Sequence, residues 1–97
     1  MLHVVVIPED MDLVARQRIE WGQLLGEAMD ARKWSTKQLI QKVADAYGII
    51  ITPQKLSMWR RGDTTPRPDV QAALAGIFEV PHHMLFPPVK LDRLQPT

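Results

Sequence analysis

Apolar positions recur along this chain at helical spacing in four stretches, and each stretch ends at residues that cannot continue a helix. Met11, Val14, Ala15, Ile19, Leu25, Ala28 and Met29 form the first series. Such spacing puts side chains on one side of a helix, and it predicts helix from about Asp10 to Ala31. Glu9, Asp10 and Asp12 stand near its start, where the positive end of the helix dipole favours carboxylates. Gly22 and Gly26 weaken this helix and allow a bend or close packing. Ser35 then caps a second helix, Thr36 to Tyr47, with Leu39, Ile40, Val43, Ala44 and Tyr47 as its apolar stripe and Gly48 as its stop. Ile49, Ile50 and Ile51 disfavour helix because they are β-branched, and they read as a buried connection.

Thr52 caps a third helix with Pro53 at its first position, where a missing N–H costs nothing. It ends near Arg61, since Gly62-Asp63 and the prolines Pro66 and Pro68 break it. A fourth helix runs from about Asp69 with Val70, Ala73, Leu74, Ile77 and Phe78. Pro81 stops it, and His82 to Phe86 read as a short turn that packs back. Residues 87–97 read as an extended tail. At the other end, Val4, Val5, Val6 and Ile7 are contiguous and β-branched, which reads as a strand or extended arm over residues 1–8. A lone strand is unstable, so it must pair with this chain or another. The fold class is therefore all-α, with an N-terminal β-like arm, a helical domain over residues 9–86 and an extended C-terminal tail.

Charge adds a second pattern. The net charge is only +1, but residues 1–31 carry two basic and six acidic side chains, and residues 32–67 carry eight basic and two acidic ones. A basic stretch within a near-neutral chain is the footprint expected for a polyanion partner. Composition mainly excludes. The chain has 97 residues, 45% of them apolar, and no cysteine. That suits one domain with a modest core and rules out disulfides, thiolate metal sites and cysteine nucleophiles. No apolar run is long enough for a bilayer span, and Leu2 to Ile7 lack the positive flank of a signal peptide, so a cytoplasmic protein is expected. There is no Gly-rich phosphate loop, no supported carboxylate pair and no Ser/His/Asp arrangement, so no catalytic residue, cofactor or small-molecule substrate is assigned. His82 and His83 have no third ligand nearby and read as capping or surface residues rather than a metal site. His3 is isolated.

Two short helices joined by a tight connection, the second one basic, form a helix-turn-helix pattern. On the third helix, Leu56 and Trp59 share one face and point inward. The opposite face holds Gln54, Met58 and Arg61, with Ser57 on its flank. An apolar anchor on one side and hydrogen-bonding groups on the other is what a groove-reading helix needs. Gln bonds adenine at two points, Arg bonds guanine or phosphate, and Met touches a thymine methyl. Thr52, at a helix N-terminus, and Lys37, near another, suit phosphate. Lys55 lies off the centre of the outward face, where backbone contact and plain solvation are equally consistent with its position. Trp21, Trp34 and Trp59 read as core rather than as base-stacking platforms.

The runs Trp21-Gly22-Gln23-Leu24-Leu25, Trp34-Ser35-Thr36-Lys37-Gln38-Leu39, Leu56-Ser57-Met58-Trp59-Arg60-Arg61-Gly62 and Pro66 through Leu74-Ala75 resemble the Cro/C1-type (XRE-type) helix-turn-helix family. The resemblance covers about residues 20–86. It implies a five-helix domain that binds double-stranded DNA as a transcriptional regulator, with phage repressors among its members. It implies base contacts at Pro53, Gln54 and Met58, with Ser57 beside them. It implies phosphate contacts at Ser35, Thr36, Arg61 and the loop after Gly62, which carries Thr64 and Arg67. Two departures stand out: the stretch from Leu39 to Leu56 is longer than usual, and Arg60 replaces the usual acidic residue. Arg60 either adds a phosphate contact or removes an internal pairing.

One short helix reads few base pairs, so a homodimer on half-sites about one helical turn apart is expected. Leu2 to Ile7 are the first candidate for the dimer contact, and pairing of that arm with Val89 to Leu91 of the same chain is the equal alternative. The main functional alternative is a protein-interaction module on the same fold, motivated by the arm, the Pro-rich tail and the low net charge. RNA binding is a weaker option, because interleaved exposed aromatics are lacking.

Overall fold

The computed structural model describes residues 13–88. The expected arm at residues 1–8, the first residues of the expected first helix and the tail from Val89 onward lie outside the described residues. Five helices follow in order: α1 Leu13–Arg32, α2 Thr36–Tyr47, α3 Pro53–Arg61, α4 Pro68–Phe78 and α5 His82–Leu85. The described residues contain no strand, and none of their helices is long and apolar enough to cross a membrane.

Local chemistry sets the bounds of α2 and α3. The Ser35 hydroxyl accepts from the Gln38 backbone N–H at 3.1 Å, and the Gln38 carboxamide accepts from the Ser35 N–H at 2.8 Å. This reciprocal box satisfies two amides that the first helical turn leaves unpaired. Gly48 closes α2 at φ 69°, and its N–H donates to the Ala44 carbonyl. Thr52 caps α3 through its hydroxyl, which accepts from the Lys55 N–H at 3.1 Å. Pro53 follows at the first turn, and Gly62 closes α3 at φ 84°. A left-handed φ strains any residue with a Cβ, so both stops need glycine or nearly so.

The helices enclose one core. Leu25 and Met29 of α1, Leu39 and Val43 of α2, and Leu56 and Trp59 of α3 meet Val70, Ala73, Leu74 and Phe78 of α4. Leu85 and Phe86 close the open end. Phe86 meets Trp21 edge-on at 5.1 Å between ring centres, and the Trp21 indole N–H donates to the Pro87 carbonyl at 2.6 Å. Trp34 stacks on Phe78 at 5.2 Å. The Arg32 guanidinium donates to the Phe78 carbonyl at 2.7 Å, which satisfies the C-terminal end of α4.

Four expectations need correction. The isoleucine connection is not buried throughout: Ile51 is buried and Ile49 half-buried, but Ile50 is 78% exposed. The segment runs without helix, and in extended chain successive side chains face opposite ways. The apolar stripe of α1 is buried only in its C-terminal half, because Val14 and Ile19 are 56% and 41% exposed. In that earlier part of α1 the Arg18 Nε donates to the Gly62 carbonyl at the end of α3, at 3.2 Å, and Ile19 lies against Gly62. Tyr47 is exposed at the C-terminal end of α2, over Gly76 of α4, rather than in the core. Finally, α4 stops before Pro81. Glu79 takes a left-handed φ of 58° after Phe78, and Pro81 opens α5 instead.

Helix α1 lies directly on α3 at Gly22. A Cβ there would sit 2.5 Å from the Trp59 carbonyl oxygen and 2.6 Å from that of Arg60, both backbone atoms. At Gly26 a Cβ would meet only the flexible Arg60 guanidinium, at 3.4 Å. Gly22→Ala should therefore lower unfolding free energy by about 1–3 kcal/mol in urea titrations, because the overpacking cost exceeds the gain in helix propensity. Gly26→Ala should leave stability equal or raise it by up to about 1 kcal/mol.

Candidate nucleic-acid interface

Helix α3 is held from beneath and open above. Leu56 and Trp59 are buried, while Thr52, Pro53, Gln54, Lys55, Ser57, Arg60 and Arg61 are exposed. The inward pair thus stands as the periodicity requires. Gln54, Ser57 and Arg61 follow one another at three and four residues and form a single outward row. Met58 does not belong to that row. It is half-buried and lines a groove with Ile49, Ile50, Thr52, Lys55, Thr64 and Arg67.

A second groove lies on the other side of α3. It is lined by Gln23, Gly26, Glu27 and Asp30 of α1, Thr36 of α2, and Ser57, Arg60 and Arg61 of α3. The structure thus sets Thr36, at the start of α2, beside the middle and end of α3. Ser35 and Lys37 are exposed around it, although the Ser35 hydroxyl is already committed to its cap. The acidic side chains Glu27 and Asp30 on the α1 wall are a feature that periodicity did not reveal. Gln23, Gly26, Glu27 and Asp30 are three, four and seven residues apart and line up along one face of α1, but only the packing shows that this face borders α3.

The eight basic residues of the middle stretch are used in different ways. Arg32 is turned inward, donating to the carbonyls of Ala28 and Phe78 and lying over the Phe78 ring at 5.1 Å. Lys42 sits over the Trp34 ring at 4.8 Å. Arg67 approaches Asp69 at 3.4 Å. Arg60 lies against α1 at Gly26, its guanidinium 3.4 Å from where a Cβ would stand. Arg61 is the most fully engaged. Its Nε and Nη2 donate to one oxygen of Asp63 at 3.0 and 2.8 Å, and its Nη1 donates to the Ser57 hydroxyl at 3.0 Å. Lys33, Lys37 and Lys55 are exposed.

The loop from Gly62 to Arg67 carries Thr64 exposed and Pro66 buried. Its position is set from below by Gln71, a buried polar side chain of α4. The Gln71 carboxamide donates to the Pro66 carbonyl at 2.8 Å. Its oxygen lies 2.8 Å from Nε2 of His82. Since the amide nitrogen is the Gln71 donor, His82 donates here from Nε2. His82 thus has a defined hydrogen-bonding task as a neighbour of Gln71.

No family model, no curated protein and no solved structure matches the chain.

Replacing Gln71 by Leu should cost about 1–3 kcal/mol of stability, because the Pro66 carbonyl would be buried without a donor. Thermal unfolding of the variant checks this, and an unchanged midpoint would mean that water reaches Pro66.

Proposed function

We propose that this protein is a helix-turn-helix DNA-binding regulator of the Cro/C1 type, with α3 as the helix that enters the major groove of double-stranded DNA. One observation carries the reading: α3 is anchored by buried Leu56 and Trp59 while its opposite side presents an exposed row of Gln54, Ser57 and Arg61. A helix fits the major groove, and those side chains match the donors and acceptors on base edges there. Pro53 at the leading end and Met58 at the side complete the candidate base-contacting set.

The surroundings suit a phosphate backbone. Ser35, Thr36 and Lys37 begin α2 and Thr52 begins α3, so two helix N-termini present positive dipole ends together with hydroxyls. Lys55, Thr64 and Arg67 lie around one groove beside α3, and Arg60 borders the other. Phosphate contacts of this kind position the helix, and the base-facing row supplies sequence preference. Two copies on a two-fold related site would double the number of base pairs read, so a homodimer belongs to this proposal.

Two measurements test it. Binding to a randomised duplex pool should enrich an inverted repeat, and affinity should fall steeply as salt rises. Lys37→Gln and Lys55→Gln should each reduce the salt slope by about one without changing the enriched sequence. No retention of duplex even at low salt would overturn the reading.

A further inference from the structure

We infer that Arg61 reads a guanine, held in place for that task by Asp63, rather than contacting phosphate. This inference rests on the proposed DNA-binding role of α3 and assigns a specificity-determining residue within it.

The position of the guanidinium is the first argument. Arg61 is the last residue of α3, so an outstretched side chain could reach toward the following loop. Nε and Nη2 do meet Asp63 in that loop, while Nη1 donates to the hydroxyl of Ser57, one turn back along the helix, at 3.0 Å. The charged group therefore lies on the outward row with Ser57 and Gln54. Side chains on a helix lean toward its N-terminus, so this arrangement needs no strained rotamer.

Electrostatics supplies the second argument. Asp63 takes both Nε and Nη2 on a single carboxylate oxygen, at 3.0 and 2.8 Å. The pair is exposed, at 60% for Arg61 and 50% for Asp63. It is close to neutral as a unit, so its attraction for a distant phosphate is weak. A residue whose role is phosphate binding gains nothing from a carboxylate neighbour. A residue whose role is to present hydrogen bonds in a fixed plane gains orientation from it, since a long flexible side chain otherwise loses rotamer freedom on binding.

Donor bookkeeping supplies the third. A guanidinium has five N–H groups. Nε, Nη1 and Nη2 each donate one bond here, which leaves one free N–H on each terminal nitrogen. A guanine edge in the major groove presents two acceptors, O6 and N7, and a paired donor of this kind matches them.

The full chain, its Arg61→Ala variant and its Asp63→Asn variant would each be put through selection on a randomised duplex pool, with far-UV circular dichroism as the folding control. The native chain should enrich a site containing a guanine that Arg61→Ala no longer prefers, while the rest of the site persists. Preference for that guanine should fall by about tenfold. Asp63→Asn should weaken the same preference and raise affinity for unselected duplex, because a negative charge has been removed. If Arg61→Ala keeps every preference and loses affinity equally on all sequences, Arg61 is a phosphate contact and this inference fails while the DNA-binding role stands. If the native chain enriches nothing, the DNA-reading role of α3 fails and the inference fails with it.

Discussion

The close approach of α1 and α3 at Gly22 is the constraint on which the arrangement of the outer surface depends. Only a residue without a Cβ lets the two backbones come this near, with the carbonyls of Trp59 and Arg60 against α1. That contact presses the inner side of α3 onto the core, where Leu56 and Trp59 are held. A nine-residue helix is too short to be stable alone, so its helical form comes from this packing and from its caps. Thr52 and Gly62 fix its ends, and α1 and α2 pack against it. What remains free is the side carrying Gln54, Ser57 and Arg61.

The same packing sorts the charges. A count of basic residues in the middle stretch suggests a uniform attraction for polyanions, but the structure divides them. Arg32 is spent on the end of α4, and Arg61 and Arg67 each have an aspartate close by. Lys37 and Lys55 are exposed near the two helix starts, and neither forms an ion pair among the described residues. In the proposed function, affinity for the backbone therefore comes from few residues, and directionality comes from the row on α3. The acidic wall of Glu27 and Asp30 beside Arg60 and Arg61 would oppose indiscriminate contact with phosphate.

Much of α2 and α3 was legible because local chemistry determines them. Ser35 with Gln38, Gly48, Thr52 with Pro53, and Gly62 each act within one helical turn, and the inward spacing of Leu56 and Trp59 follows from the helix period. What was not legible depends on distant partners. Val14 and Ile19 fit the apolar pattern of α1, yet that part of the helix extends beyond the core it would need to cover. Glu79 ends α4 in a conformation that sequence usually signals with glycine or asparagine. The inward turn of Arg32, the seat of Arg60 at Gly26 and the bond from Gln71 to Pro66 join residues far apart in the chain, and no local pattern announces them. The all-α class was readable from periodicity. The resemblance of the Trp-, Ser- and Gly-containing runs to the Cro/C1 family is what turned a helical class into a functional expectation, and the exposed row on α3 gives that expectation a physical site.

The most direct test of the central claim, that α3 is the surface that meets DNA, is to follow backbone amide resonances of the full chain while duplex DNA is added at low salt. The account predicts that the largest changes fall on residues 52–61 of α3, residues 35–37 at the start of α2 and residues 63–67 of the loop between α3 and α4. Changes centred on Ile50 and Tyr47, on the N-terminal half of α1, or on none of the residues would contradict it.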